Sequence, residues 1–96
     1  MKQGYAVVHE FQGILNGVKV FTDLNEAKKN CFIQLVEYLN EHPNVVEWLK
    51  ETTEKYTIRF LHGINTQNVD EAIDAYGEID WDEDETFAVV PCEIHD

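Results

Sequence analysis

Between Val69 and Glu85 the chain carries nine carboxylates (Asp70, Glu71, Asp74, Glu78, Asp80, Asp82, Glu83, Asp84 and Glu85) and no Lys or Arg. No other feature restricts the fold as much, because charges without partners resist burial and these carboxylates are expected at the solvent. The imbalance is local. Residues 1–48 hold four Lys against six acids, a net of −2, whereas residues 49–96 hold three basic residues against thirteen acids, a net of −10.

The rest of the 96-residue chain must supply the core. One domain is expected at this length, burying only roughly 60–65% of the surface that the unfolded chain exposes, which argues against a deep pocket. A net charge of −12 repels nucleic-acid backbones and anionic membranes alike. Direct nucleic-acid binding is therefore disfavoured, and the field points to a basic partner, a cation or solubility. Cys31 and Cys92, far apart in sequence, have neither the number nor the spacing of a disulfide framework or zinc site and read as reduced thiols. No apolar signal region follows Lys2, and no uncharged run approaches the roughly 18 residues of a membrane span, so a cytoplasmic protein is expected.

Asn16-Gly17 lies between two β-rich runs and predicts a type I′ hairpin in which residues 4–15 pair with 18–22. That turn would put Val7, His9, Phe11, Leu15, Val18 and Val20 on one face, with Glu10, Gln12 and Lys19 opposite. Phe21 then falls on the polar side, which suggests a bulge or slip near Gly13. Asp23 and Glu26 form a capping-box-like start for a helix over about 24–40, with Leu24, Ala27, Cys31, Leu35, Tyr38 and Leu39 as its apolar stripe. His42-Pro43 interrupts it, and a short helix carrying Trp48 resumes over 45–51.

Tyr56, Ile58 and Phe60 alternate with Thr57 and Arg59, which predicts a strand over 56–61 ending at His62-Gly63. Asn68 and Glu71 frame a second capping-box start, and Val69, Ala72, Ile73 and Tyr76 predict a short helix stopped by Gly77. An acidic connection over 78–85 leads to a last strand over 86–90, at an edge or ending there because Pro91 has no N–H to donate. The expected fold is α+β in the order ββααβαβ. It is a single domain with about four antiparallel or mixed strands and helices packed on one face.

The acidic segment has two readings. One is a solvated face. The other is a surface that imitates a nucleic-acid backbone, made of Glu71, Asp74, Glu78, Asp80, Trp81, Asp82, Glu83, Asp84 and Glu85. On a helix, Glu71, Asp74 and Glu78 form one stripe with steps of about 4.5–6 Å. If residues 80–84 are extended, Asp80, Asp82 and Asp84 share a face at roughly 6.6 Å intervals. Both are of the several-ångström order of successive phosphates along a strand, and Trp81 would anchor the contact.

Asp80-Trp81-Asp82-Glu83-Asp84 also begins like a calcium loop. An EF-hand then needs Gly at its sixth position and Glu at its twelfth, where this chain has Glu85 and Pro91, so only a loose, weak cation site survives that test. None of His9, His42, His62 and His95 pairs with another at the helical i, i+4 metal spacing, and Cys92 and His95 read as part of an ordinary C-terminal tail. His9 falls with the apolar hairpin face, and the adjacent Glu10 points away from it, so a partly buried structural role is expected. With no Gly-rich phosphate loop and no nucleophile elbow, neither catalysis nor a cofactor is expected.

In size, acidity and α+β character the chain resembles the small decoy and inhibitor proteins of phages and mobile elements, and some toxin-immunity proteins. The likeness is one of type and rests on no motif. It implies a non-catalytic inhibitor of the counter-defence or immunity kind, binding a basic, nucleic-acid-handling protein. The alternative is a small housekeeping adaptor or self-associating domain, a homodimer through the hairpin edge or through Trp48 and Trp81, whose acidity serves solubility.

Overall fold

The computed structural model describes residues 2–11, 14–52, 54–79 and 85–94. The fold is α+β. The elements run β1 (Lys2–Phe11), β2 (Ile14–Phe21), α1 (Leu24–Glu41), α2 (Pro43–Glu51), α3 (Lys55–Thr66), α4 (Val69–Tyr76) and β3 (Glu85–Ile94). Among the described residues the sheet has three antiparallel strands in the order β2-β1-β3. The chain groups into two compact units, residues 1–31 with 81–96 and residues 32–80, and α1 runs from the first into the second.

The first unit contains the sheet. β1 pairs along its whole length with β3, setting Val7 opposite Val89 and His9 opposite Phe87. Val7 and Phe87 are buried, and the His9 ring stacks on Phe87 at 4.3 Å and 8°. Ala27 and Cys31, in the first turns of α1, are also buried. Asp23 starts α1 as predicted, its Oδ1 accepting the Asn25 N–H at 2.8 Å and its carbonyl accepting the Ala27 N–H at 3.1 Å. The stripe inferred for α1 is buried except at Leu24, which is exposed.

The hairpin differs from its expected register. Asn16 and Gly17 lie inside β2, not at a turn, and the two strands join through residues 12 and 13, which lie outside the described residues. Phe11 pairs with Ile14, Val8 with Val18 and Ala6 with Val20, with a bulge where His9 faces Gly17 and Glu10 faces Leu15. Val18 and Val20 therefore share a face with Ala6 and Val8 instead of with Val7 and His9. Asn-Gly is a local preference, and the long-range ladder between β1 and β3 outweighs it by fixing β1 from Lys2 to Phe11. β3 is an edge strand, as expected, but it continues through Pro91 to Ile94. Cys92 is thus a strand residue and not part of a tail.

The second unit is helical. Pro43 occupies the first turn of α2, where its missing N–H would have had no helical partner. The strand expected over Tyr56–Leu61 is instead part of α3, which is why the sheet has three strands among the described residues and the order becomes ββααααβ. A strand would bury Tyr56, Ile58 and Phe60 together. The observed buried set is Thr57, Phe60 and Gly63, spaced by three, while Ile58 is exposed. Apolar alternation over six residues fits either period, and the presence of α4 alongside decides for the helix.

Candidate functional site: the acidic helix and its neighbour

The acidic segment begins on α4, and α4 is held by α3. Between them the chain reverses at Gln67, whose φ of 57° is left-handed and whose N–H reaches the Gly63 and Ile64 carbonyls. The Asn68 N–H donates to Gly63 O at 2.8 Å, so the carbonyls of Gly63 and Ile64, in the last turn of α3, are satisfied before α4 begins. Asn68 then caps α4, its Oδ1 accepting the Glu71 N–H at 3.2 Å while its Nδ2 reaches Glu71 Oε2 at 3.4 Å. The cap half of the expected capping box is thus formed and its return bond is not: the Asn68 backbone N–H goes to Gly63 O, and the Glu71 carboxylate meets the Asn68 side-chain amide instead. Gly63 makes the close approach of the helices feasible, because a Cβ there would lie 2.7 Å from Ala72 N and 2.9 Å from Ala72 Cα.

This geometry separates the acids of α4 into two kinds. Glu71, its side chain 24% exposed, turns toward α3. Its carboxylate accepts from His62 Nδ1 at 3.3 Å and lies 3.9 Å from Arg59 Nε. Asp74, one turn on and 81% exposed, is 3.9 Å from Arg59 Nη2, and Glu78 beyond the helix is also exposed. The sequence segment is free of bases, but α3 brings Arg59 and His62 beside it. No spacing within residues 69–85 could have announced those two partners. Exposed pairs at such distances contribute little, typically about 0.2–1 kcal/mol, so the group stays net negative.

The remaining predicted contact residues are only partly described. Asp80, Trp81, Asp82, Glu83 and Asp84 lie outside the described residues, so the extended face drawn for 80–84 and the calcium-loop reading do as well. Glu85 begins β3. Among the described residues no group of three or more His, Cys, Asp or Glu side chains is placed to hold a metal ion. No described helix is long and apolar enough to cross a membrane. Burial pushes the Cys31 thiol up to about 11, which keeps it protonated and poorly nucleophilic at neutral pH. His42 closes α1 by placing Nδ1 2.9 Å from Tyr38 O, and its ring lies 4.4 Å from that of Tyr38.

No protein-family model matches the chain, and no curated protein or solved structure matches it.

Proposed function

We propose that this chain is a non-catalytic interaction protein that captures a basic protein, of the kind that handles nucleic acids, and inhibits it by occlusion. The contact is made by the acidic stretch from Glu71 to Glu85. The observation that supports this reading is the uneven charge of the second half, thirteen acids against three bases. On α4 that charge points outward at Asp74, while Glu71 fastens the helix to α3. A negative field on one side raises the encounter rate with a basic groove by roughly 10- to 1,000-fold and is screened by salt. Trp81 supplies the apolar contact that slows release, in keeping with the enrichment of Trp at interface hot spots. No bond is made or broken, and the work of the surface is steering and occlusion.

The test is capture of a partner on the immobilised chain, followed by association kinetics across a salt series. Replacing Asp80, Asp82, Glu83 and Asp84 with their amides should slow association about tenfold or more and flatten its salt dependence. Unchanged capture by this variant would leave the acids serving solubility alone.

A further inference from the structure

Asn16 holds a singular position in the sheet. Its neighbours on β2 are paired, Gly17 with His9 and Leu15 with Glu10, and since His9 and Glu10 are consecutive no residue of β1 is left to oppose it. Asn16 is the extra residue of a β-bulge, where the ladder is interrupted and the backbone is released from regular pairing. β2 is an edge strand, and among the described residues no strand lies on its other side. The next residue, Gly17, is exposed, and nothing lies within 4 Å of the place a Cβ would take. The other six asparagines are set differently. Asn25, Asn30, Asn40, Asn44 and Asn65 lie in helices, Asn68 starts one, and each is followed by a residue with a side chain.

We infer that Asn16 is a self-modification site, at which the folded chain loses a side-chain amide as ammonia and gains an aspartate or isoaspartate, with water as the only co-reactant. In the first step the Gly17 backbone nitrogen attacks Asn16 Cγ. The N–Cγ bond forms, the Cγ–Nδ2 bond breaks, and the Gly17 amide proton leaves with the departing nitrogen as ammonia. The product is a five-membered cyclic imide, which water opens at either carbonyl. Cleavage at Cγ gives aspartate, and cleavage at the main-chain carbonyl gives isoaspartate, through whose side-chain carbon the chain then continues. Nothing is oxidised or reduced. Ring closure requires the backbone at Asn16 to turn out of the extended form, which a fully paired strand resists. The bulge and the open edge remove that resistance at this residue, and Gly17 presents no side chain to obstruct the attack. Either product adds a negative charge within Phe11–Thr22, a stretch that carries no carboxylate. The inference is independent of the acidic-stretch reading, since it concerns other residues and is read as mass and charge instead of capture.

Incubation of the full chain in warm, mildly alkaline buffer should yield an isoform one charge more negative on isoelectric focusing, with a mass gain of about 1 Da. The gain should fall in the tryptic peptide from Gln3 to Lys19, and fragmentation should place it on Asn16, at about tenfold or more the rate of any other asparagine. Gly17→Ala, whose added Cβ meets nothing within 4 Å, should slow the reaction by about tenfold or more, and Asn16→Gln should remove the isoform. Circular dichroism of each variant checks that the fold is retained. The folded chain should react within about tenfold of the rate in concentrated urea, because the bulge leaves Asn16 free to turn. A folded chain slower than that, a rate at Asn16 no faster than at the helical asparagines, or an isoform that persists in Asn16→Gln would each overturn the inference.

Discussion

Gly63 of α3 and Ala72 of α4 approach so closely that a Cβ built on the glycine would lie 2.7 Å from the alanine nitrogen. Glycine inside a helix ordinarily costs roughly 1 kcal/mol relative to alanine. Here the cost is offset because the missing Cβ lets the helices meet at Gly63 and Ala72, with the buried Phe60 ring 5.8 Å from that of Tyr76.

Gly63→Ala therefore reverses the usual sign. In an open helix it would stabilise by about 1 kcal/mol. Against the Ala72 backbone, which cannot swing aside as a side chain can, it should destabilise by about 1–3 kcal/mol, measured by urea denaturation. A stabilised variant would show that the helices separate at little cost.

Gly4 gives a contrasting case. A Cβ there would meet Ile94 Cδ1 at 2.5 Å and Ile94 Cγ1 at 2.7 Å, which are side-chain atoms with rotational freedom. Gly4→Ala should cost about 0.5–1.5 kcal/mol, and less in an Ile94→Ala background. A double-mutant cycle by chemical denaturation measures that coupling.

Asn68 caps α4 and also helps hold Glu71. Asn68→Ala should lower stability by about 1 kcal/mol, whereas Asn68→Asp should recover part of it, because an aspartate oxygen can still accept the Glu71 N–H although it loses the Nδ2 contact and sets a second carboxylate beside Glu71. Thermal unfolding of the two variants separates the loss of the cap from a general effect of substitution.

The Cys31 thiol is 1% exposed, and burial raises it from 9.0 to about 11. A group raised in the folded state contributes stability that is fully present below its unfolded value and is lost as pH rises through the folded one. Stability should therefore fall between pH 9 and 11, by on the order of 2 kcal/mol from this group. Cys31→Ala should remove that part of the pH dependence, although its baseline stability will be lower. Thiol labelling of the native wild type should be slow at Cys31 and faster at the partly exposed Cys92.

Several elements could be read directly from residues close together in the chain. Asp23 and Asn68 announced their helices because a cap is a contact over two or three residues, whereas α2, expected from residue 45, begins two residues earlier at Pro43, whose missing N–H suits a first turn. The acids of the candidate site were equally legible, being a matter of composition. Their neutralising neighbours were not, since Arg59 and His62 reach Glu71 only after the chain has reversed at Gln67. Asn16-Gly17 misled for a related reason, because turn chemistry is a local preference of modest size and the β1–β3 ladder outweighs it.

What the amino-acid sequence determined by itself was the α+β class, the places where α1 and α4 begin, the break between α1 and α2, and the concentration of negative charge after residue 48. Each follows from local hydrogen bonding, local periodicity or formal charge. Only the tertiary structure decided that Tyr56–Leu61 is helical, that Val18 and Val20 lie on the same face as Ala6 and Val8, and that Glu71 turns inward while Asp74 does not. A six-residue apolar alternation fits two periods, and a hairpin can slip by a turn. Such degeneracies are removed only by partners distant in sequence, here Ala72 for α3 and β3 for β1.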